Sequence, residues 1–299
     1  MEQTCVLALG FFDGVHLGHG ALLRRTRELA DRLGVPAAAL TFDIHPDTLV
    51  YGHPVELLNT PEERAALMRG LYGIDRIFIL HFDAERMAQP WPDFVHRTLF
   101  DAYHVVHVVC GEDYRFGAHG AGTPERLAEA CRERGAGCDC IPQVRLDGEV
   151  ISSTLIRRLV AEGDMERAAR LLGHSHRITG TVVHGRALGR TIGIPTANLP
   201  LQKGIVAPRF GVYASRVRVD GRDCPAVTNI GVRPTVSGST PTVEPWLLDF
   251  DGDLYGRPLC VELLKFLRPE RKFNSLDTLR AEILCNAAQT RALFAEKRV

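Results

Sequence analysis

The feature that most constrains this chain is a change of hydrophobic pattern near residue 175. Before it, short apolar runs alternate with helix-like segments. Thr4–Leu9, Ala37–Phe42, Arg76–Leu80, Val105–Cys110 and Cys138–Ile141 read as strands. Between the first two, Ala21–Leu33 carries Leu22, Leu29 and Leu33 at roughly helical spacing, with Gly34 as its stop. Thr60-Pro61-Glu62-Glu63 is a helix start: Thr60 as N-cap, Pro61 at the first helical position, Glu63 able to reach back in a capping box, and Gly73 at the end. Thr123-Pro124-Glu125 opens another helix, stopped near Gly135. Strands alternating with helices predict a parallel sheet covered on both faces, with ligands beyond the carboxyl ends of its strands. The loop after Leu9 is therefore the first place to look for chemistry.

After Gly173 the runs shorten and are broken by glycines and turn dipeptides. Val212–Val219 alternates loosely and meets Asp220-Gly221, a type I′ hairpin signal; Leu247–Tyr255 holds a second one, Asp251-Gly252. Leu259–Phe266 is a further strand, and a last helix from about Ser275 to Glu296 places Leu276, Leu279, Ile283 and Leu293 on one face. This half predicts an antiparallel barrel or sandwich. The 299 residues suit two domains, with the boundary expected at 173–177, giving domains 1–174 and 175–299.

Lys+Arg and Asp+Glu both number 36, so no global field favours nucleic acid or an anionic membrane as partner, and phosphates must be bound by local geometry. No apolar run reaches the roughly 18 residues of a membrane span. Met1-Glu2-Gln3-Thr4 lacks the basic start of a signal peptide, so a cytoplasmic location is expected. The eight scattered cysteines are expected as reduced thiols; Cys138-x-Cys140 has no second pair at zinc spacing.

Two segments carry candidate chemistry. Residues 10–20 contain His16-x-Gly18-His19 between a strand and a helix. A helix start offers backbone N–H groups and a positive dipole end, Gly18 permits close approach, and two imidazoles add donors for phosphate oxygens. Such a site could stabilise charge during attack at the α-phosphorus of a nucleoside triphosphate, with in-line positioning and no protein nucleophile. Ile151-Ser152-Ser153-Thr154-Leu155-Ile156-Arg157 supplies hydroxyls and a guanidinium at another helix start, fit for β- and γ-phosphates or equally for an ordinary N-cap. In the second half, Gly185, Gly189 and Gly193 allow close backbone approach to phosphates without a Walker loop. Pro195-Thr196-Ala197-Asn198 then sets two hard oxygen ligands, Thr196 and Asn198, suited to Mg²⁺ on ATP.

These motifs, in this order, resemble the bifunctional bacterial riboflavin kinase/FAD synthetases over nearly the whole chain. The resemblance rests on Gly10-Phe11-Phe12-Asp13-Gly14-Val15-His16-Leu17-Gly18-His19, on Leu40–Pro46, on Gly111–Gly117 and on Ile151–Arg157. It continues through Pro195–Asn198, Asn229–Thr235, Thr242–Glu244, Leu247–Gly256 and Phe266–Phe273. It implies a Rossmann-like α/β nucleotidyltransferase module followed by an antiparallel β-barrel with a terminal helix. The implied reactions are phosphorylation of riboflavin to FMN with ATP and Mg²⁺, then adenylylation of FMN to FAD. It assigns His16 and His19 to catalysis, and Gly10, Phe12, Asp13, Gly18, Ser153, Thr154 and Arg157 to ATP in the first module. Gly185, Gly189 and Gly193 bind ATP in the second, where Thr196 and Asn198 hold the metal and Glu244 accepts the proton of the ribityl 5′-hydroxyl. Asp43, Pro46, Asp113, Phe116 and Arg268 are assigned to flavin. Phe11, Ile44, Ala118-His119 and Pro245-Trp246 depart from the family pattern. They leave open a riboflavin kinase whose adenylyltransferase module is weakened or inactive.

Overall fold

The computed structural model describes residues 4–185, 189, 192–232 and 241–296. Internal contacts divide the chain into two compact units, Met1–Ser153 and Thr154–Val299.

The first unit is built on five parallel strands: β1 (Cys5–Leu9), β2 (Ala37–Phe42), β3 (Arg76–Leu80), β4 (Val105–Gly111) and β5 (Gly137–Ile141), in the order β3-β2-β1-β4-β5. The central strand β1 is apolar at every position because both of its faces are covered. Cys5, Leu7 and Leu9 enter one core cluster, while Val6 and Ala8 enter the other. Helix α1 (Leu17–Leu33) seals the second face through Leu22, Leu23, Leu29 and Ala30. α2 (Pro46–Tyr51) follows β2, and α3 (Pro61–Tyr72) begins with the expected capping box: Glu63 N donates to Thr60 Oγ1 at 3.2 Å and Thr60 N to Glu63 Oε2 at 2.9 Å. α4 (Ala84–Ala88) and α5 (Trp91–Asp93) come next, and α5 runs on as a π-helical segment, Phe94–Ala102, which buries Phe94, Val95 and Leu99. The unit closes with α6 (Pro124–Glu133) and a small hairpin of β6 (Arg145–Leu146) and β7 (Glu149–Val150).

α7 (Ser153–Glu162) and α8 (Met165–Leu172) lead into the second unit. Its strands are β8 (His176–Thr181), β9 (Leu199–Pro200), β10 (Gly211–Val219), β11 (Arg222–Val232), β12 (Pro241–Leu247) and β13 (Pro258–Arg268), all paired antiparallel in the order β8-β13-β10-β11-β12-β9. The two outer strands meet: a Cβ on Gly180 of β8 would sit 3.4 Å from the Leu199 side chain of β9. The sheet is thus a nearly closed barrel, which settles the choice between barrel and sandwich. Inside it, Ser215 Oγ and Thr228 Oγ1 hydrogen-bond at 2.5 Å, and Ser215 also donates to Ala226 O at 2.9 Å. The terminal helix α9 (Leu276–Glu296) is tied to β13 by Arg268, whose Nε donates to Asn286 Oδ1 at 3.1 Å and pairs with Glu282 at 3.2 Å.

The β10–β11 hairpin turns at Asp220 (φ 51°) and Gly221 (φ 77°), both left-handed as a type I′ turn requires. The second expected hairpin, at Asp251-Gly252, does not form. β13 pairs with β10 and β8, and β12 with β11 and β9, so the two strands flanking that dipeptide are not neighbours. The left-handed residues there are Asp249 (φ 62°) and Gly256 (φ 70°), and residues 248–257 form an open loop. A Cβ on Gly221 would meet nothing within 4 Å, so substitution there tests backbone conformation alone. Gly221→Ala should lower stability by about 1 kcal/mol, read as a shifted denaturation midpoint with an unchanged slope.

Candidate active sites

The turn that joins β1 to α1 is held in a conformation that few residues adopt. Phe12 (φ 59°), Gly14 (φ 76°) and Val15 (φ 45°) are all left-handed. Glycine takes this readily; a buried phenylalanine and a β-branched valine do so at about 1–3 kcal/mol each. The surroundings over-determine the shape. Phe12 is fully buried, its ring edge-on to His19 at 5.3 Å. Gly10 leaves room for that ring, since a Cβ there would lie 3.0 Å from it. Leu58 N donates to Asp13 Oδ1 at 2.8 Å, Gly14 N to Asn59 Oδ1 at 3.4 Å, and Ser153 Oγ to Asp13 O at 2.9 Å. Thr41 Oγ1 and Arg64 Nη1 both donate to Phe11 O, at 2.7 and 2.8 Å.

The turn delivers two histidines to the first turn of α1. His16 is the N-cap, with extended backbone, and its Nδ1 accepts from His19 N at 3.2 Å. An accepting Nδ1 leaves the proton of a neutral His16 on Nε2. The two rings stack at 3.6 Å and 14°. A Cβ on Gly18 would lie 3.0 Å from the His16 ring, so glycine is what allows this packing. Burial, then the neighbouring His16 and Arg64, hold His19 far below the usual histidine range, and its buried Nδ1 has no hydrogen-bond partner. Gly10, Phe12, Asp13, Gly18, His16, His19 and Ser153 thus meet at the carboxyl end of β1, beside a helix start suited to anions. Asp13, 1% exposed, anchors the turn. Thr154 and Arg157 lie further along α7 and group with the second unit.

The residues assigned to flavin in the first unit lie in two other segments, after β2 and after β4. Asp43 accepts from His81 Nδ1 at 2.6 Å and Phe82 N at 3.0 Å. Partial burial pushes its carboxyl up, but these hydrogen bonds outweigh it and hold the group below the usual carboxylate range. Pro46 opens α2 behind His45, which caps Asp47 N. Asp113 is exposed, whereas Phe116 is buried in the core among Tyr114, Trp91 and Phe94.

In the second unit, the Pro195–Asn198 segment is fastened to β12. Ala197 N donates to Pro245 O at 2.9 Å, so Thr196 and Glu244 each stand one residue from that bond. Pro245 lacks an N–H, but its carbonyl is used, and the strand keeps its register through Thr228. Glu244 is 4% exposed and accepts from Thr242 Oγ1 at 3.0 Å. Two of the three glycines serve close approach: a side chain on Gly185 would run into the Asn198 amide, and one on Gly189 into Ile194 O. Gly193 is left-handed at φ 74°. Thr196 lines a cavity of about 280 Å³ together with Val182, Leu247 and the 250–255 loop. Tyr255 of that loop stacks on His184 at 3.9 Å. Arg268 sits against α9 as described. Arg186–Leu188, Arg190, Thr191 and Arg233–Thr235 of the sequence motifs lie outside the described residues.

The sequence marks no role for Leu58, Asn59, Arg64, Thr242 or Tyr255. The one available signal is Arg64 itself, a charged residue in step with the buried Leu67 and Met68 on the inward face of α3.

Comparison with known proteins matches both halves. A family model described as FAD synthetase covers residues 1–155, and one described as riboflavin kinase covers residues 172–294. The bifunctional riboflavin kinase/FMN adenylyltransferase of Pseudomonas fluorescens is 41% identical over 98% of this chain and 94% of its own length. That of Listeria monocytogenes is 37% identical over 97% and 93%, and that of Escherichia coli K12 is 38% identical over 98% and 94%. A crystal structure from Streptococcus pneumoniae, of a protein named macrolide-efflux protein, superposes with TM-score 0.84 at 30% identity, covering 97% of this chain and 95% of that one. Among the described residues no helix is long and apolar enough to cross a membrane. With both family models matched in order and relatives at 37% and 41% identity covering nearly the whole chain, the chain belongs to the family of bifunctional riboflavin kinase/FMN adenylyltransferases.

Proposed function

We propose that this chain converts riboflavin to FMN and FMN to FAD, with residues 175–299 carrying the kinase and residues 1–174 the adenylyltransferase. The observation that carries the reading is the stacked His16–His19 pair at the start of α1, with His16 buried. A flavin-binding sensor without turnover has no need of it.

In the kinase step, Glu244 orients the ribityl 5′-hydroxyl and accepts its proton as the oxygen attacks the γ-phosphorus of ATP, and ADP leaves. Its contact with Thr242 restricts the carboxylate to one orientation. Gly185, Gly189 and Gly193 let backbone approach the phosphates. Thr196 and Asn198 offer hydroxyl and amide oxygens for Mg²⁺. The Asn198 amide is already packed against Gly185, which fits a preformed ligand. When bound, the metal neutralises charge on the phosphates. Among the described residues no group of three or more His, Cys, Asp or Glu could hold a metal.

In the second step, an oxygen of the FMN phosphate attacks the α-phosphorus of another ATP, and pyrophosphate leaves. His16, His19 and the first turn of α1 stabilise the charge that builds on the phosphates. Gly10, Phe12, Asp13 and Gly18 shape the pocket, and Ser153, Thr154 and Arg157 act on the departing β- and γ-phosphates. Asp43, Pro46, Asp113 and Phe116 bound the flavin in this module, and Arg268 in the kinase. The match to FAD synthetase over residues 1–155 and the intact turn support two activities over a kinase alone. Phe11, the clearest departure in the turn, is accommodated by packing against Arg64 and His45.

His16→Ala should form FMN at the normal rate and slow FAD formation about 100-fold or more, measured by chromatography of the flavins. Unchanged FAD output would remove His16 from the mechanism. Glu244→Ala should do the reverse: FMN formation from riboflavin falls about 100-fold or more, while supplied FMN is still converted to FAD. Loss of both activities in this variant would count against separate sites.

A further inference from the structure

Arg64 is fully buried, an uncommon place for a guanidinium. It lies on α3, four residues after the Thr60 N-cap. Its Nη1 alone donates to three oxygens: Phe11 O at 2.8 Å, Thr41 Oγ1 at 2.8 Å and Phe42 O at 3.0 Å. The guanidinium carbon lies 4.1 Å from the centre of the Phe11 ring, and that ring also meets His45 edge-on at 4.5 Å. One side chain therefore ties the carboxyl end of β1 to that of β2. It does so one residue before Phe12, where the left-handed turn begins.

Nε and Nη2 of the same group are buried without a hydrogen-bond partner. Burial pushes the guanidinium down to about 10, against the attraction of Asp13, Glu62 and Asp43. An uncharged side chain of similar length would avoid that desolvation. The value of the cation therefore lies in what Nη1 and the stacked plane hold in place.

We infer that Arg64 is a positioning residue for adenylyl transfer: by fixing the Phe11 carbonyl and ring against β2, it sets the strained turn that aims His16 and His19 at the phosphates. The inference rests on the reading of that turn as the adenylyltransferase site.

The test uses the full chain, in which the kinase activity of the second unit serves as an internal control. Arg64→Met should lower kcat for FAD formation from FMN and ATP by about 10- to 100-fold, with both KM values within about twofold and FMN formation unchanged. Arg64→Lys keeps three N–H donors but not the stacking plane, and should recover part of the loss. Thr41→Val removes one bond to Phe11 O and should lower kcat in the same direction by less. Wild-type kcat in Arg64→Met would overturn the inference. So would a loss confined to KM, which would make Arg64 a ligand-binding group. Should Arg64→Met fail to accumulate in soluble form, Thr41→Val decides: a lowered kcat supports the inference and an unchanged one overturns it. A wild-type chain that makes no FAD would overturn the reading of the site and this inference together, whereas FAD formation at the same kcat by wild type and Arg64→Met would overturn the inference alone.

Discussion

The first unit depends on a left-handed turn that its own residues disfavour. Phe12 and Val15 carry about 1–3 kcal/mol of backbone strain each. The hydrogen bonds onto Phe11, Asp13 and Gly14 contribute about 1 kcal/mol apiece, and burial of the Phe12 ring adds to them. The opposing sums are comparable, so the turn persists only while its partners stay in place. Those partners come from the carboxyl end of β2, the approach to α3, α3 itself and the start of α7. The parallel sheet matters because it brings these segments to one end of β1. Charge stabilisation requires donors that do not reorganise during reaction, and a turn held from several sides meets that need.

The second unit handles the same co-substrate with a different device. Glycines let backbone and side chains approach within distances that a Cβ would block, and the Ala197–Pro245 bond sets the Pro195–Asn198 segment beside the strand that carries Glu244. The two units also differ in the atoms they address. A buried carboxylate suits removal of a proton from an alcohol, whereas an imidazole pair at a helix start suits a phosphate that is already a nucleophile.

Local signals in the sequence translated directly into structure. The Thr60–Glu63 capping box and the Asp220-Gly221 turn are decided by a few adjacent residues, and both form as the sequence implies. The five strands of the first sheet were legible because each is an apolar run between polar segments. Asp251-Gly252 misled because a turn dipeptide makes a hairpin only if the flanking strands pair, and here β13 is already taken on both edges. The helical stretch at 91–102 was hidden by Pro90 and Pro92, which interrupt the periodic pattern. Among the candidate site residues, motif spacing singles out His16, His19 and Thr196, and family resemblance singles out Glu244. Arg64, Asn59 and the Leu58 amide are singled out by neither, because they act across 45 or more residues of chain on a carbonyl, a backbone N–H and a carboxylate whose positions exist only in the fold.

The central claim is that one chain transfers the γ-phosphoryl group of one ATP and the adenylyl group of another. Product stoichiometry tests it most directly: riboflavin is incubated with ATP and Mg²⁺, and ADP, pyrophosphate and flavins are quantified together. The account predicts that ADP appears first with FMN, and that ADP, pyrophosphate and FAD reach equal amounts at completion. ADP accumulating with FMN, with neither pyrophosphate nor FAD, would contradict it.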